Sequence, residues 1–283
     1  MNKQSGFTLI ELMIAGFIGV FIIMGLMNLF ITTNKSITLS GALSQNQETG
    51  RFAMDYMTKF IRKAGYNKDL SKFTPPIFMP SVATSPVITC TGIQSDVCAD
   101  NNPATSRGDR LAIPFSVGGN AEDETRSCTG TIVGGATNGP QNLVNVFWVS
   151  AANDTLRELR CRTFNRDTNE WLDPAVSIIN NVERLEFQVG IAANNDEKYV
   201  SRYVSIDTVN NDSALDASFI RAIRISLLTT SQDELDDNKI QSTVRERKYG
   251  VLDAPIFTIN DTNLRNIYSN TIELPNMIES AGL

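Results

Sequence analysis

Histidine is absent from all 283 residues. Its absence removes the commonest general base and the commonest zinc ligand. Cysteine is scarce, with four residues at Cys90, Cys98, Cys128 and Cys161, none of them spaced as CxxC. A metal-ligating reading is therefore weak. Two glycine pairs, Gly118-Gly119 and Gly134-Gly135, lack the Gly-Lys-Ser/Thr that completes a phosphate loop, and they read as turn residues. Basic charge is outnumbered, 25 Lys and Arg against 31 Asp and Glu, for a formal charge of −6. An acidic chain does not supply the clustered cationic surface that nucleic acid needs. The one basic cluster, Arg157, Arg160, Arg162 and Arg166, has Glu158, Asp167 and Glu170 interleaved, so it reads as paired charge on a hairpin. The acidic run Asp233 to Asn238 lacks the glycine of an EF-hand loop and reads as a solvated turn. Nothing places a nucleophile beside a base. The expectation is a chain that is not an enzyme, with no catalytic residue, no cofactor, no metal site and no specific nucleic-acid partner.

What the chain does have in abundance is apolar length at its start. After the polar hexapeptide Met1 to Gly6 comes an apolar run of 25 residues, Phe7 to Ile31. Within it, Leu12 to Met27 contains no polar side chain. A bilayer core of about 30 Å is spanned by roughly 20 apolar residues in a helix. Lys3 and the starting amine favour a cytoplasmic N-terminus. A secretory signal peptide would be followed by a small-residue cleavage site. The residues after Ile31, TTNKSITLSG, do not provide one. One carboxylate, Glu11, lies inside the run. On insertion scales a charge there costs on the order of 2.5–3.5 kcal/mol, so it points to a function with a nearby partner.

From Thr32 to Ala64 the helix is expected to continue as an amphipathic one. Leu39, Leu43, Gly50, Met54, Met57, Ile61 and Ala64 recur near the helical period, interrupted at Asn46 or Gln47. Phe52, Tyr56 and Phe60 form a second stripe. Glu48, Arg51, Asp55, Lys59, Arg62 and Lys63 make the polar face, and Gly65 suits a C-cap. The whole helix would be about 85 Å long at 1.5 Å per residue. Its second half is expected to lay its apolar stripe on a sheet.

Tyr66 to Gly108 is proline-rich and irregular. Strand patterns begin at Asp109–Ile113 and continue at Leu143–Val149 and Leu156–Phe164, the latter two reading as a hairpin around Asn153-Asp154. Val182–Ile191 alternates with a slip near Arg184. Phe219–Thr229 alternates less strictly, and Arg265–Leu274 reads as a last strand. One long helix followed by clustered strands is an α+β pattern with a mainly antiparallel sheet. The even cysteine count fits an oxidising compartment. Four cysteines allow three pairings, and sequence alone does not choose. Cys90–Cys98 and Cys128–Cys161 are favoured, because the first is local and the second would tie a loop to a strand.

Gly6-Phe7-Thr8-Leu9-Ile10-Glu11-Leu12 resembles the class III signal of type IV pilins and pseudopilins. That resemblance implies cleavage after Gly6 by a prepilin peptidase and N-methylation of Phe7. It also implies that Glu11 meets the N-terminal amine of a neighbouring subunit during filament assembly. Removing a leader that carries Lys3 takes the formal charge from −6 to −7. Gln47 to Asp55 (QETGRFAMD), Ile61 to Tyr66 (IRKAGY), VERLEFQVGI, IRAIRISLL and the YSNTIELPN stretch resemble PilW-type minor pilins, in the same order. The resemblance does not extend to the cysteine loops.

It implies four regions: a leader at 1–6, a transmembrane half-helix at 7–31, an amphipathic periplasmic half at 32–65 and a periplasmic head at 66–283. The implied partners are the prepilin peptidase, other minor pilins, the major pilin, the inner-membrane pilus assembly machinery and, before assembly, membrane lipid. The implied location is the inner membrane and then the pilus. The implied function is a minor pilin that primes assembly at or near the pilus tip. A J-type minor pseudopilin of type II secretion and a tip adhesin built on the cysteine loops are the alternatives.

Overall fold

A computed structural model of the protein describes residues 8–68, 74–79, 97–101, 107–153, 156–212, 214–231, 246–261 and 263–279. One helix, α1 (Leu9–Ile61), runs 53 residues without a break, a length of about 80 Å. Thirteen strands follow among the described residues. The first sheet and its hairpins come from β1 (Leu111–Val117), β2 (Thr125–Arg126), β3 (Ile132–Val133), β4 (Gln141–Asn153), β5 (Leu156–Asn165), β6 (Glu170–Trp171) and β7 (Val176–Asn180). The remainder are β8 (Val182–Ile191), β9 (Arg202–Val204), β10 (Ile220–Thr230), β11 (Glu246–Tyr249), β12 (Phe257–Asn260) and β13 (Arg265–Glu273). Short helices α2 (Gly135–Asn138), α3 (Ile206–Asn211) and α4 (Pro275–Glu279) fill connections and the C-terminus.

Among the described residues two main antiparallel sheets form, with two two-stranded ladders, β2-β3 and β11-β12, beside them. One has the order β1-β4-β5-β6, with β7 also on β5; the other has the order β13-β10-β8-β9. The chain passes from the first to the second through one residue, Asn181, in a left-handed conformation (φ 66°). Asparagine tolerates that conformation better than most residues. Its N–H donates to Arg157 O and its carbonyl accepts from Thr230 N, so the crossing is tied to both sheets. The α+β pattern expected from sequence is the observed one, with the antiparallel strands divided between two sheets.

The long strands lie close to their sequence patterns. β8 has the expected bounds. The slip near Arg184 is a register shift: Arg184 pairs with Leu228, but the next pair is Thr229 with Val182. β1 starts two residues later and ends four residues later than expected. Asp109 is drawn away to the second sheet, where its N–H donates to Leu185 O and its carboxylate accepts from Phe187 N at 3.0 Å. Part of the proline-rich stretch also contributes core. Ile77 and Phe78 are fully buried, and Phe78 N donates to Ala112 O.

The helix meets the head later than the pattern predicts. Buried positions on α1 begin at Asn46 and continue through Thr49, Gly50, Ala53, Met54, Met57, Phe60 and Ile61. Leu39 is only half-buried and Leu43 is exposed. Among the described residues, no position of the stripe at 32–45 is buried. From Asn46 onward the helix packs on β13, β10 and β7, and Phe60 meets the ring of Phe147 on β4 at 6.1 Å. The resulting core joins helix and both sheets. The helix ends at Ile61 with Arg62 as its C-cap, and Gly65, expected in that place, instead closes the turn that follows in a left-handed conformation (φ 74°).

Gly50 has a different reason to be glycine. A β-carbon there would lie 2.2 Å from the Tyr268 ring. Replacing a helix-interior glycine by alanine normally gains up to about 1 kcal/mol. Here Gly50→Ala should instead cost about 1–3 kcal/mol by overpacking. Thermal denaturation of the detergent-solubilised protein checks this, and truncating Tyr268 to Leu in the same chain should recover part of the loss.

Candidate functional site

Two regions concentrate polar chemistry on the long helix: its first turn and the joint with the head. At the first turn, the Thr8 side chain accepts from Glu11 N at 3.4 Å. The Thr8 N–H and hydroxyl both donate to Glu11 Oε2, each at 2.9 Å. This is a reciprocal capping box, which satisfies helix-end groups that otherwise lack partners. The apolar run singles out Glu11 but not Thr8. The Thr-x-x-Glu spacing is the signal that would have found it. Gly6 and Phe7 lie outside the described residues. From Leu9 to Phe30 every large apolar side chain of the helix is exposed, and one stretch of α1 is long and apolar enough to cross a membrane.

At the joint, Asn46 is the residue that interrupts the apolar stripe, and it is fully buried. Its amide donates to Leu264 O at 3.1 Å and its side-chain carbonyl accepts from the Thr229 hydroxyl. Tyr268 donates to Asn46 O at 3.4 Å. One buried amide thus pins the helix to β10, β13 and the turn before β13. A buried polar group is tolerable only when its bonds are made, so Asn46 fixes both the register and the rotation of the helix on the sheet.

An ion-pair network backs this pin. Arg265 opens β13 with its side chain only 4% exposed. Its guanidinium donates to both oxygens of Glu183 on β8, at 2.6 and 2.8 Å, and to Asp261 as well. Burial alone would raise the Asp261 pKa, but the bonds from Arg265 outweigh it and hold that carboxyl below its ordinary value. Burial likewise opposes the charge on Arg265, and the two carboxylates more than offset it.

Further up the helix the aromatic stripe has divided roles. Phe52 is exposed, Tyr56 half-buried and Phe60 buried, with the rings stacked in sequence at 6.0 and 5.1 Å. Tyr56 donates to Cys128 O at 2.6 Å. Lys63, assigned by its spacing to the polar face, folds inward over the Phe60 and Phe115 rings. Its ammonium donates to Thr125 Oγ1 at 2.9 Å and Arg126 O at 3.2 Å. Burial, with Lys59 nearby, lowers its pKa.

The cysteines are not arranged as expected throughout. Cys98 is disulfide-bonded, and Cys90, its expected partner, lies outside the described residues. Cys128 and Cys161 are free thiols, both buried, so the second expected bond is not formed. The Cys128 sulfur lies 3.5 Å from Thr163 Oγ1, and neighbouring Cys128 together with burial raises the pKa of the Cys161 thiol. The acidic run 233–238 lies outside the described residues. In the arginine cluster Arg160 pairs with Glu158 at 3.1 Å, Arg162 stacks on Trp171 and Arg166 on Phe78, while the buried Arg166 Nη1 has no hydrogen-bond partner among the described residues.

Comparison with known proteins places this geometry. Residues 146–276 match the family model of type IV pilus-assembly protein W, and residues 1–27 match the prokaryotic N-terminal methylation motif. No curated protein matches the chain. Among solved structures, a type IV-like pilin from Thermus thermophilus aligns with 84% of this chain and 96% of its own, at 13% identity and a TM-score of 0.40. A likeness at that score carries no weight for function. A methylation motif on a long exposed apolar helix, seated on an antiparallel head, defines a type IV pilin-like protein and fits a membrane-anchored one. The stretch that matches the PilW model, residues 146–276, spans most of β4 to β13 and reaches into α4.

The Asp261 contact has a pH signature. A carboxyl with a depressed native pKa adds stability above its unfolded pKa and loses it as pH falls through the native value. Asp261→Asn should therefore lower the melting temperature near neutral pH by about 2–4 °C, the equivalent of about 1 kcal/mol. The difference from wild type should shrink as the pH drops below the ordinary aspartate pKa, as thermal melts across acid pH would show.

Proposed function

We propose that the chain is a minor pilin that primes type IV pilus assembly and sits at or near the tip with other minor pilins. The observation that carries this reading is the coupling of a methylation-motif helix to a PilW head through one buried joint. In this reading a prepilin peptidase cuts after Gly6 and Phe7 is N-methylated. The chain waits in the inner membrane with its N-terminus cytoplasmic and its head periplasmic. It then enters the filament with other minor pilins and the major pilin, through the inner-membrane assembly machinery.

The first helical turn gives this reading a physical mechanism. An ionised carboxylate in hydrocarbon needs compensation. The Thr8 N–H and hydroxyl provide two bonds to Glu11 Oε2 within the same chain. A single subunit can therefore hold Glu11 in the bilayer before it meets a partner. In the filament, the methylated amine of a neighbouring Phe7 supplies the opposite charge and so selects the register of packing. No catalysis by this chain is required.

The match to a pilus-assembly family supports a pilus over a secretion system. The adhesin alternative draws less support, because Cys128 is buried and its carbonyl is held by Tyr56.

Mass spectrometry of the mature protein should find N-methylated Phe7 at its start. Glu11→Ala should reduce surface pili at least tenfold with normal protein levels. Unchanged piliation would remove Glu11 from assembly, and a mature chain beginning at Met1 would overturn the reading. Loss of secreted enzymes with intact pili in a deletion strain would assign the chain to type II secretion instead.

A further inference from the structure

A cavity of about 380 Å³ opens where α1 ends, between its last turn and the 118–125 turn that follows β1. Buried Phe115 forms its apolar wall, and Arg62, Tyr66, Glu122 and Glu124, all exposed, form its rim. Between wall and rim lies the Lys63 ammonium, 5.7 Å from the centre of the Phe115 ring. It donates to two neutral acceptors, Thr125 Oγ1 and Arg126 O, which leaves one of its three N–H groups unspent. The influences on its charge are burial and Lys59, and both oppose it. The inner carboxylate of the cavity, Asp123, is already committed. It binds Lys68 Nζ at 2.6 Å and accepts from Asn120 N at 3.1 Å. Among the described residues no carboxylate pairs with Lys63, and neither Glu122 nor Glu124 forms an ion pair.

A half-buried ammonium without a counter-charge is costly, and a carboxylate brought in from outside removes that cost. We propose that this cavity receives an acidic side chain from a neighbouring pilin subunit, whose carboxylate binds Lys63 while a basic residue beside it rests against Glu122 and Glu124. The proposal rests on the pilus reading above. The layering of charge selects the occupant. A free anion meets the two glutamates of the rim before it reaches Lys63. A protein segment with an acid and a base side by side matches both layers at once. The cavity is at the small end of the range for ligand sites, with room for one or two side chains. Lipid does not reach it, because about 45 Å of helix separates Ile31, the end of the apolar run, from Arg62. Phe115 and Tyr66 exclude water around the incoming pair, which strengthens the attraction. Lys63 is thus a docking point that is completed only when a neighbour arrives.

Carbodiimide cross-linking of piliated cells tests the pair, because this reagent joins an amine to a carboxyl only where the two already touch. Mass spectrometry of peptides from the full-length chain should find Lys63 joined to an Asp or Glu of another pilin. Lys63→Gln, which keeps a donor for Thr125, should abolish that link and leave the melting temperature of the protein nearly unchanged. Lys63 joined only to its own Glu122 or Glu124, to a carboxyl outside the pilins, or to nothing, would overturn the proposal. Charge exchange completes the test. Lys63→Glu should lower the number of surface pili about tenfold, and lysine in place of the partner's cross-linked acid should restore them. No restoration would also overturn it. Intact pili and N-methylated Phe7 without the Lys63 link would remove this site alone, whereas a chain still beginning at Met1 would remove the pilus reading itself.

Discussion

Everything in this molecule depends on burying one side of α1, from Asn46 to Ile61, against two sheets at once. The apolar positions on that face turn a membrane-type helix into the central element of a folded head. Burial gives the force, at roughly 25 cal/mol per Å² of apolar surface removed from water. Burial alone does not fix rotation or register, because apolar contacts are non-directional. The polar groups on the buried face do that. Asn46 must satisfy its amide, and only one placement offers both Leu264 O and the Thr229 hydroxyl. Gly50 must face Tyr268, because no other side chain fits there.

The joint also explains how the two ends of the chain are coupled. β13 is late in sequence, yet it is the strand beneath the helix. Arg265, at its start, is locked to Glu183 on β8 and to Asp261. A displacement of the helix along its axis would therefore strain the second sheet, not only a surface contact. In the proposed pilus role, that rigidity is the useful property. Force applied at the first turn reaches the head through continuous helix and a pinned interface.

Much of this was legible in sequence. The apolar run, Glu11 and the helical period announced a long helix, and the six strand patterns fall on β1, β4, β5, β8, β10 and β13. Periodicity reports which face is apolar, not what covers it. The stripe continues through Leu39 and Leu43, but neither is buried as the positions from Asn46 onward are. Lys63 reads from its spacing as solvated, and only the fold shows Phe60 and Phe115 beneath its ammonium. Asn46 looks like a defect in the stripe, because its partners lie over 180 residues away in sequence. The short strands were missed because a ladder of two to five residues carries no periodicity of its own. Thr8 was legible as a cap but was overshadowed by the charge three residues later.

The central claim is that the helix and the head form one rigid body from Asn46 upward, with a bare stalk below. Amide hydrogen exchange on the full-length protein in detergent micelles tests it most directly. Amides from Asn46 to Ile61 should exchange only as the head unfolds globally, while those from Thr32 to Gln45 exchange much faster. If protection ran without a step from residue 32 to residue 61, or if the Asn46–Ile61 amides opened while the head sheets stayed protected, the claim would be contradicted.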